Sequence, residues 1–279
     1  MPPMNQPPKP SDFSLRRPEK PPSWCRPAGV APGTWDYVHQ GAIADHYDDF
    51  VADVAMANVE QQILRDFFPP QEKPGDQTMI DLGCGTGRTA IPLAQAGYDV
   101  IGVDLSQTML QRLSEKAKAA DLGGKVAAVR ANLVELDCLA DHSADHAVCL
   151  FSTMGMIAGR KHRRQMLSHV HRIVRPGGIF LLHVHHRWAA LREKGGIAAT
   201  MKSIIKSFDK SEHEFGDSVY EYRGLDQMFM HRFGRMEIER DLQSTGWQVE
   251  HCLRLSIDGK RLTMRLPICG GFFVVARAT

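Results

Sequence analysis

Residues 78–87, Thr-Met-Ile-Asp-Leu-Gly-Cys-Gly-Thr-Gly, constrain the fold of this chain more than any other stretch. A short apolar run passes directly into Gly83, Gly85 and Gly87, and a helical pattern follows over residues 88–96. A strand that turns so abruptly into a helix belongs to an α/β sheet. Glycine lets such a turn bend sharply and lie close to a ligand. The free N–H groups opening the helix add a partial positive charge suited to an anion.

The same rhythm runs through the chain. Apolar runs at 78–82, 99–103, 126–130, 146–151 and 179–184 alternate with helical stretches near 88–96, 107–120 and 163–174, and two more strands read at 247–255 and 272–276. Strands alternating with helices of this length predict a parallel sheet covered on both faces. Upstream, Ile43, Tyr47, Phe50, Val54, Ile63 and Leu64 mark a helix or helix pair over 41–68, ended by Pro69 and Pro70. Ten of the sixteen prolines fall within residues 1–33. Residues 1–34 are therefore expected to be a disordered tail, and 35–279 the folded domain. After the fifth strand a helix is expected at 235–244, which leaves 187–233 as extra chain. Connections in α/β units usually take ~2–6 residues beyond the helix. The excess reads as a lid or substrate-recognition insert, or as a surface excursion without function.

Bulk properties exclude several classes. A net charge of +2 gives no global field to recruit nucleic acid or membrane. The six cysteines form no C-x-x-C pair, and several sit in apolar runs, so neither a metal site nor a disulfide framework is expected. No apolar stretch nears the ~18–20 residues of a membrane span, and the N-terminus lacks a secretory apolar core. The expectation is a cytoplasmic protein with reduced thiols and no membrane partner.

Two residues beside the glycines narrow the ligand. A dinucleotide fingerprint wants its third glycine one position later, where this chain has Arg88. Asp81, at the strand end, would repel a pyrophosphate but suits an ammonium, held directly or through water. The methionyl end of S-adenosylmethionine (SAM) carries both a carboxylate and an ammonium. Downstream, 100–103 leads into Asp104, an acid placed to accept from two ribose hydroxyls. Its alternative is a loop acid capping the helix whose N-cap is Ser106.

With these residues in hand, the chain resembles the class I SAM-dependent methyltransferases over about residues 40–185 and again over 235–279. Residues 81–87 are similar to that family's first motif and 102–106 to its second. Residues 129–133 lie where the family contacts adenine, 145–150 resemble the fourth-strand motif, and 173–178 the glycine-rich turn before strand five. The resemblance implies a Rossmann-like, seven-stranded, mostly parallel sheet of order 3-2-1-4-5-7-6. Strand seven is then antiparallel, helices cover both faces, and the insert falls between strands five and six. It implies SAM as cofactor, held at Tyr47, Asp81, Gly83, Cys84, Gly85, Gly87, Asp104, Leu105, Asn132, Leu133 and Leu150. Tyr47 has a second reading, as a plain core tyrosine. Asn132 departs from the family's usual Asp.

The acceptor is less defined. His183, His185 and His186 end strand five, where open α/β sheets bind ligands. Alternation puts His183 and His185 on one face and His186 on the other. Each is a candidate general base for a hydroxyl or protonated-nitrogen acceptor, or a hydrogen-bonded packing residue. From His146 to Arg192 there is no Asp or Glu, while Arg160, Lys161, Arg163, Arg164, Arg172 and Arg175 cluster there. The 160–175 stretch reads as the wet face of a helix or as an RNA patch. Residues 229–233, Phe-Met-His-Arg-Phe, read as pocket lining or as a short core strand. Three functions remain open: methyl transfer to a small molecule, methyl transfer to RNA, and a non-catalytic SAM-binding regulator. A dehydrogenase is disfavoured by the misplaced third glycine.

Overall fold

The structure is a computed structural model and describes residues 25–39, 47–52, 54–208, 213–222, 224–264 and 268–279. In chain order the elements are α1 (Pro32–His39), α2 (Tyr47–Ala52), α3 (Ala57–Phe67), β1 (Thr78–Leu82), α4 (Ala90–Gln95), β2 (Asp99–Asp104), α5 (Gln107–Ala119), β3 (Val126–Arg130), β4 (His146–Cys149), α6 (Arg160–Ile173) and β5 (Ile179–His185). There follow α7 (Gly196–Ser207), β6 (Asp217–Tyr222), β7 (Leu225–His231), α8 (Arg235–Gln243), β8 (Trp247–Leu255) and β9 (Gly271–Ala278). Short 3-10 turns lie at Thr153–Met156 and Arg187–Arg192.

Seven strands form one sheet in the order β3-β2-β1-β4-β5-β9-β8. The five strands from β3 to β5 run parallel, and β9 lies antiparallel between β5 and β8. This is the expected order, with β8 and β9 as the sixth and seventh strands of that sheet. Both faces are covered, so alternate residues enter two separate cores. In β1, Ile80 and Leu82 join α6 residues such as Met166, Leu167, Val170 and Ile173. Met79 enters the other core with Ile63 of α3 and Leu113 of α5. Asp81 alternates onto the side of Met79, and β5 sends His183 and His185 away from Phe180, Leu182 and Val184 in the same way.

The long excess after β5 has structure of its own: a 3-10 turn, α7, and the antiparallel hairpin β6–β7. Helix α1 lies on that hairpin so closely that a Cβ on Gly33 would stand 1.9 Å from the carbonyl oxygen of Gln227. This changes the expected N-terminal boundary. Residues 25–34 are not a loose tail: Val30 bridges to Ile157, Ala31 and Thr34 are buried, and α1 begins at Pro32. Proline suits a first helical turn, whose N–H has no intrahelical partner. The rest of the expected tail, and Ile43 in the upstream helix pattern, lie outside the described residues.

Candidate active site

The glycine turn is built by the main chain. The N–H groups of Gly83 and Cys84 donate to the carbonyl of Val103 at 2.8 and 3.1 Å, stitching the end of β1 to β2. Gly83, Gly85 and Gly87 have φ of 75°, 53° and 93°, the left-handed region that favours glycine. Asp104, ending β2, accepts from the N–H of Gly85 at 2.9 Å and of Ser106 at 2.8 Å. Its carboxylate is thus pinned at the carboxyl edge of the sheet. Burial raises its pKa and the backbone donors oppose that rise.

A cavity of about 350 Å³ opens at this edge. Tyr47, Gly83, Gly85, Asp104, Leu105, Asn132 and Leu133 line it. A much smaller cavity of about 20 Å³ adjoins it, lined by Asp81, Cys84 and Leu150 together with Tyr47, Gly83 and Phe151. Gly87 lines neither. A Cβ there would stand 2.5 Å from Leu113, so that glycine serves the packing of the turn on α5.

Asp81 is the most telling residue. It is 2% exposed, and its Oδ2 has no hydrogen-bond partner. Burial lifts its pKa to about 7, with Arg88 pulling the other way. An orphaned buried acceptor is costly unless a ligand completes it. The 20 Å³ space beside it is the size of one water. An ammonium group fits that donor deficit, directly or through water. Arg88 does not meet the need, because it is engaged by Glu60 at 2.5 Å across the α3 interface.

Tyr47 opens α2 and stands over Gly85, whose added Cβ would lie 3.6 Å from the ring. Thr86 donates to Asp48 at 2.7 Å and Lys116 pairs with Asp48 at 2.5 Å, tying α2 down across the loop. Burial raises the phenol of Tyr47 to about 12, so it stays protonated. Asn132 donates to the carbonyl of Ala28 at 3.0 Å and to Glu135 at 3.3 Å. An aspartate has no such donors, which gives a physical reason for the asparagine.

The three histidines separate as alternation requires. His185 lines the main cavity. His183 is fully buried behind it, 5.3 Å away ring to ring, with Nδ1 3.4 Å from Ser152 Oγ. His186 faces the opposite side, its Nδ1 3.2 Å from the carbonyl oxygen of Cys269. Burial lowers the pKa of His185 to about 4, and Arg232 adds to the fall. Its imidazole is therefore neutral and able to accept a proton. Phe151 and Ser152, just beyond β4, hold φ of 57° and 61°. Strained non-glycine backbone of this kind concentrates at ligand sites.

Among the walls that α1, the 3-10 turn and the hairpin supply, only Met230 falls in a stretch singled out from the sequence, residues 229–233. Tyr37 and Val38 come from α1, Met156 and Ile157 from beside the 3-10 turn, and Tyr220, Tyr222, Met228 and Met230 from the hairpin, which roofs the cavity. Met228, Phe229, Met230 and Phe233 are all buried, and of these Met228 and Met230 line the cavity. The hairpin is anchored by buried charge. His231 sets Nδ1 2.6 Å from Asp217 and Nε2 2.9 Å from Glu237, Arg163 pairs with Glu214 at 2.8 Å, and Arg187 pairs with Glu237. Glu214, His231 and Glu237 bring ligand atoms within 4.8 Å of one another. Arg163 and Arg187 already neutralise those carboxylates, so a metal ion there would face two guanidinium groups.

The cations of the acid-free stretch meet acids from elsewhere. Arg160 and Arg164 pair with Asp241, Arg163 with Glu214, Arg172 with Asp141, and Arg175 with Asp145. Among the described residues no helix is long and apolar enough to cross a membrane.

Comparison with known proteins gives the same picture. Residues 79–178 match the family described as "Methyltransferase domain". An O-methyltransferase of Aspergillus sclerotiorum is 26% identical over 142 residues, 50% of this chain and 50% of its own. The chain spans about half the length of the curated relatives it matches. A SAM-dependent methyltransferase structure from Methanosarcina mazei superposes with TM-score 0.62 at 20% identity, covering 77% of this chain and 96% of that one. The 1,6-didemethyltoxoflavin-N1-methyltransferase of Burkholderia thailandensis, solved with bound 1,6-didemethyltoxoflavin and S-adenosylhomocysteine, superposes with TM-score 0.59 at 19% identity, covering 91% of this chain and 92% of that one. Sheet order and motif order agree with the methyltransferase-domain match over residues 79–178, and the fold is that of the S-adenosylmethionine-dependent methyltransferase structures.

Proposed function

We propose that the protein transfers the methyl group of SAM to a small, largely apolar acceptor, with His185 as general base. One observation carries the reading. The same cavity is bounded by the glycine turn and Asp104 on one side and by His185 and the hairpin tyrosines on the other. Donor and acceptor held in one such enclosure gain proximity and alignment, worth ~7–11 kcal/mol of barrier in favourable cases.

Bound SAM supplies an electrophilic methyl group on sulfur. Asp81 would receive the methionyl ammonium, Asp104 would accept from the ribose hydroxyls, and Leu105, Asn132 and Leu133 would flank the adenine. Tyr47 closes the cofactor end. His185 would take the proton from the acceptor's hydroxyl or N–H as that oxygen or nitrogen bonds to the methyl carbon, the carbon–sulfur bond breaking and its electron pair leaving with the neutral thioether. The insert 187–233 is the acceptor-binding lid. A small acceptor is favoured over RNA because acids pair five arginines of the 160–175 stretch and methionine and tyrosine line the roof.

Calorimetry with SAM tests the cofactor site. Affinity should fall as pH drops through about 7, because Asp81 must be ionised to hold an ammonium. Asp81→Asn should weaken binding and remove that pH dependence. Absence of SAM binding at any pH overturns the reading. Transfer of labelled methyl to a cell extract should then place label in the small-molecule fraction, and label confined to RNA would move the acceptor assignment there.

A further inference from the structure

Helix α7 presents its sides in the reverse of the usual order. Its docked edge is mostly small and polar, with Ile204 half-buried along it. Gly196 and Thr200 are buried, and a Cβ on Gly196 would stand 1.6 Å from the carbonyl oxygen of Ala190. Ser203, on the same edge, donates to the carbonyl of Asp217 at 3.4 Å and lies 3.0 Å from His213 Nε2. The opposite side carries Ile197, Met201, Ile205 and then Phe208, exposed by 68%, 53%, 66% and 86%. Spacings of four, four and three place them in one stripe. In α6 the equivalent stripe is buried against the sheet. In α7 it faces outward.

Charge identifies what the stripe suits. Residues 194–208 contain Lys194, Lys202 and Lys206 and no acidic residue. A helix with an apolar face, flanking lysines and no acids has the chemistry of an anionic lipid surface, where apolar side chains enter the headgroup boundary and lysines meet phosphate. A convex stripe of four side chains is small for a protein interface, which needs roughly 1,000 Å² with shape complementarity. A bilayer needs none. Trp188, Val219 and Tyr220 of the same insert are exposed as well, and Tyr220 also lines the cavity.

We infer that α7 is an interfacial anchor that lays the insert on an anionic membrane surface, with Ile197, Met201, Ile205 and Phe208 as the inserted residues. The sequence expectation of no membrane partner rested on the lack of a span and on low net charge. A twelve-residue surface helix passes both criteria unnoticed. The anchor depends on α7 alone and stands apart from the methyl-transfer reading.

Flotation of the full chain with phosphatidylcholine vesicles, with and without phosphatidylglycerol, tests it. Binding should require phosphatidylglycerol, weaken in high salt, and fall roughly tenfold or more (about 1.4 kcal/mol) in the double variant Met201→Glu, Ile205→Glu. That variant should keep the parent's melting temperature and its heat of SAM binding. If it fails to fold, Lys194→Ser with Lys202→Ser serves instead, and it too should lower the bound fraction. The anchor is refuted if the parent chain stays in the soluble fraction with both vesicles, or if neither variant lowers binding. It is equally refuted if light scattering shows a dimer that the glutamate variant splits, which would make a second copy the occupant.

Discussion

The two sides of the cavity are held by different means. On the donor side the main chain does the positioning: Gly83, Cys84, Gly85 and Ser106 spend their N–H groups on Val103 and Asp104 within a span of about two dozen residues. On the acceptor side the hairpin β6–β7 is fixed by side chains, through Asp217, His231, Glu237, Arg187, Glu214 and Arg163. Backbone scaffolding tolerates most side-chain changes that spare the glycines. A buried charge network fails when any one member is lost, because the partner left behind is desolvated and unpaired. The donor side should therefore lose function locally, and the roof should lose stability and acceptor binding together.

The largest separation is expected at His185. His185→Ala should lower kcat roughly 10²–10⁴-fold with SAM affinity held near the parent's. An unchanged kcat would leave proximity as the whole mechanism. The pH profile sharpens this test. With its pKa at about 4, His185 stays a proton acceptor far below neutrality, and the rate limb it controls should lie near pH 4. Stability follows with a definite sign. Unfolded His185 takes up a proton below about 6.5, whereas the folded residue does not until about 4, so stability is full above that range and falls as pH drops through it. His183, lowered by burial as well, acts in the same direction. Melting temperatures between pH 7 and about 4 should fall less steeply in His185→Gln.

Next in size is the roof. Glu214→Gln leaves the buried guanidinium of Arg163 without its closest charge partner. The cost should be about 2–4 kcal/mol, below the figure for a fully buried pair because Glu214 is partly exposed. Thermal denaturation measures it. The acceptor KM should rise more than the SAM Kd. Equal rises in both would mean that the two sides of the cavity are one cooperative unit.

The same contrast decides what the sequence reveals. Strands β1, β3 and β8 coincide with their apolar runs to the residue, because each run is flanked by polar or glycine-bearing chain. The glycine turn is legible because its backbone geometry demands glycine and because Asp81 and Asp104 flank it at fixed offsets. The roof is only partly so: Met230 falls in the 229–233 stretch read as pocket lining, whereas Tyr220, Tyr222 and Met228 obey no spacing and meet the cavity only after the hairpin folds over it. Long-range pairing also misleads a linear reading. Residues 146–192 hold no acid, yet Asp141, Asp145, Glu214 and Asp241 neutralise their arginines from outside the segment. Gly87 illustrates the limit of motif transfer: its spacing suggests ligand contact, and Leu113 explains it by packing.

The smallest effect concerns a residue where the donor side and the N-terminal segment meet. Asn132 clasps Ala28 through its amide N–H, while its Oδ1 accepts from Val134 N at 3.3 Å. Asn132→Asp would discard both donors and set a carboxylate against Glu135 and a carbonyl oxygen. The expected loss is about 1 kcal/mol, seen as faster hydrogen exchange over residues 25–30. Other supports remain in that segment, among them the packing of Ala28 on the core, the bridge from Val30 to Ile157 and the bond from Ala158 N to Gly29 O at 2.8 Å. It should loosen without leaving, and SAM affinity should weaken by less than about tenfold. A variant that bound SAM more tightly with residues 25–30 still protected would reverse the assignment. Asn132 would then be a weakened adenine ligand, and the clasp on Ala28 would be incidental.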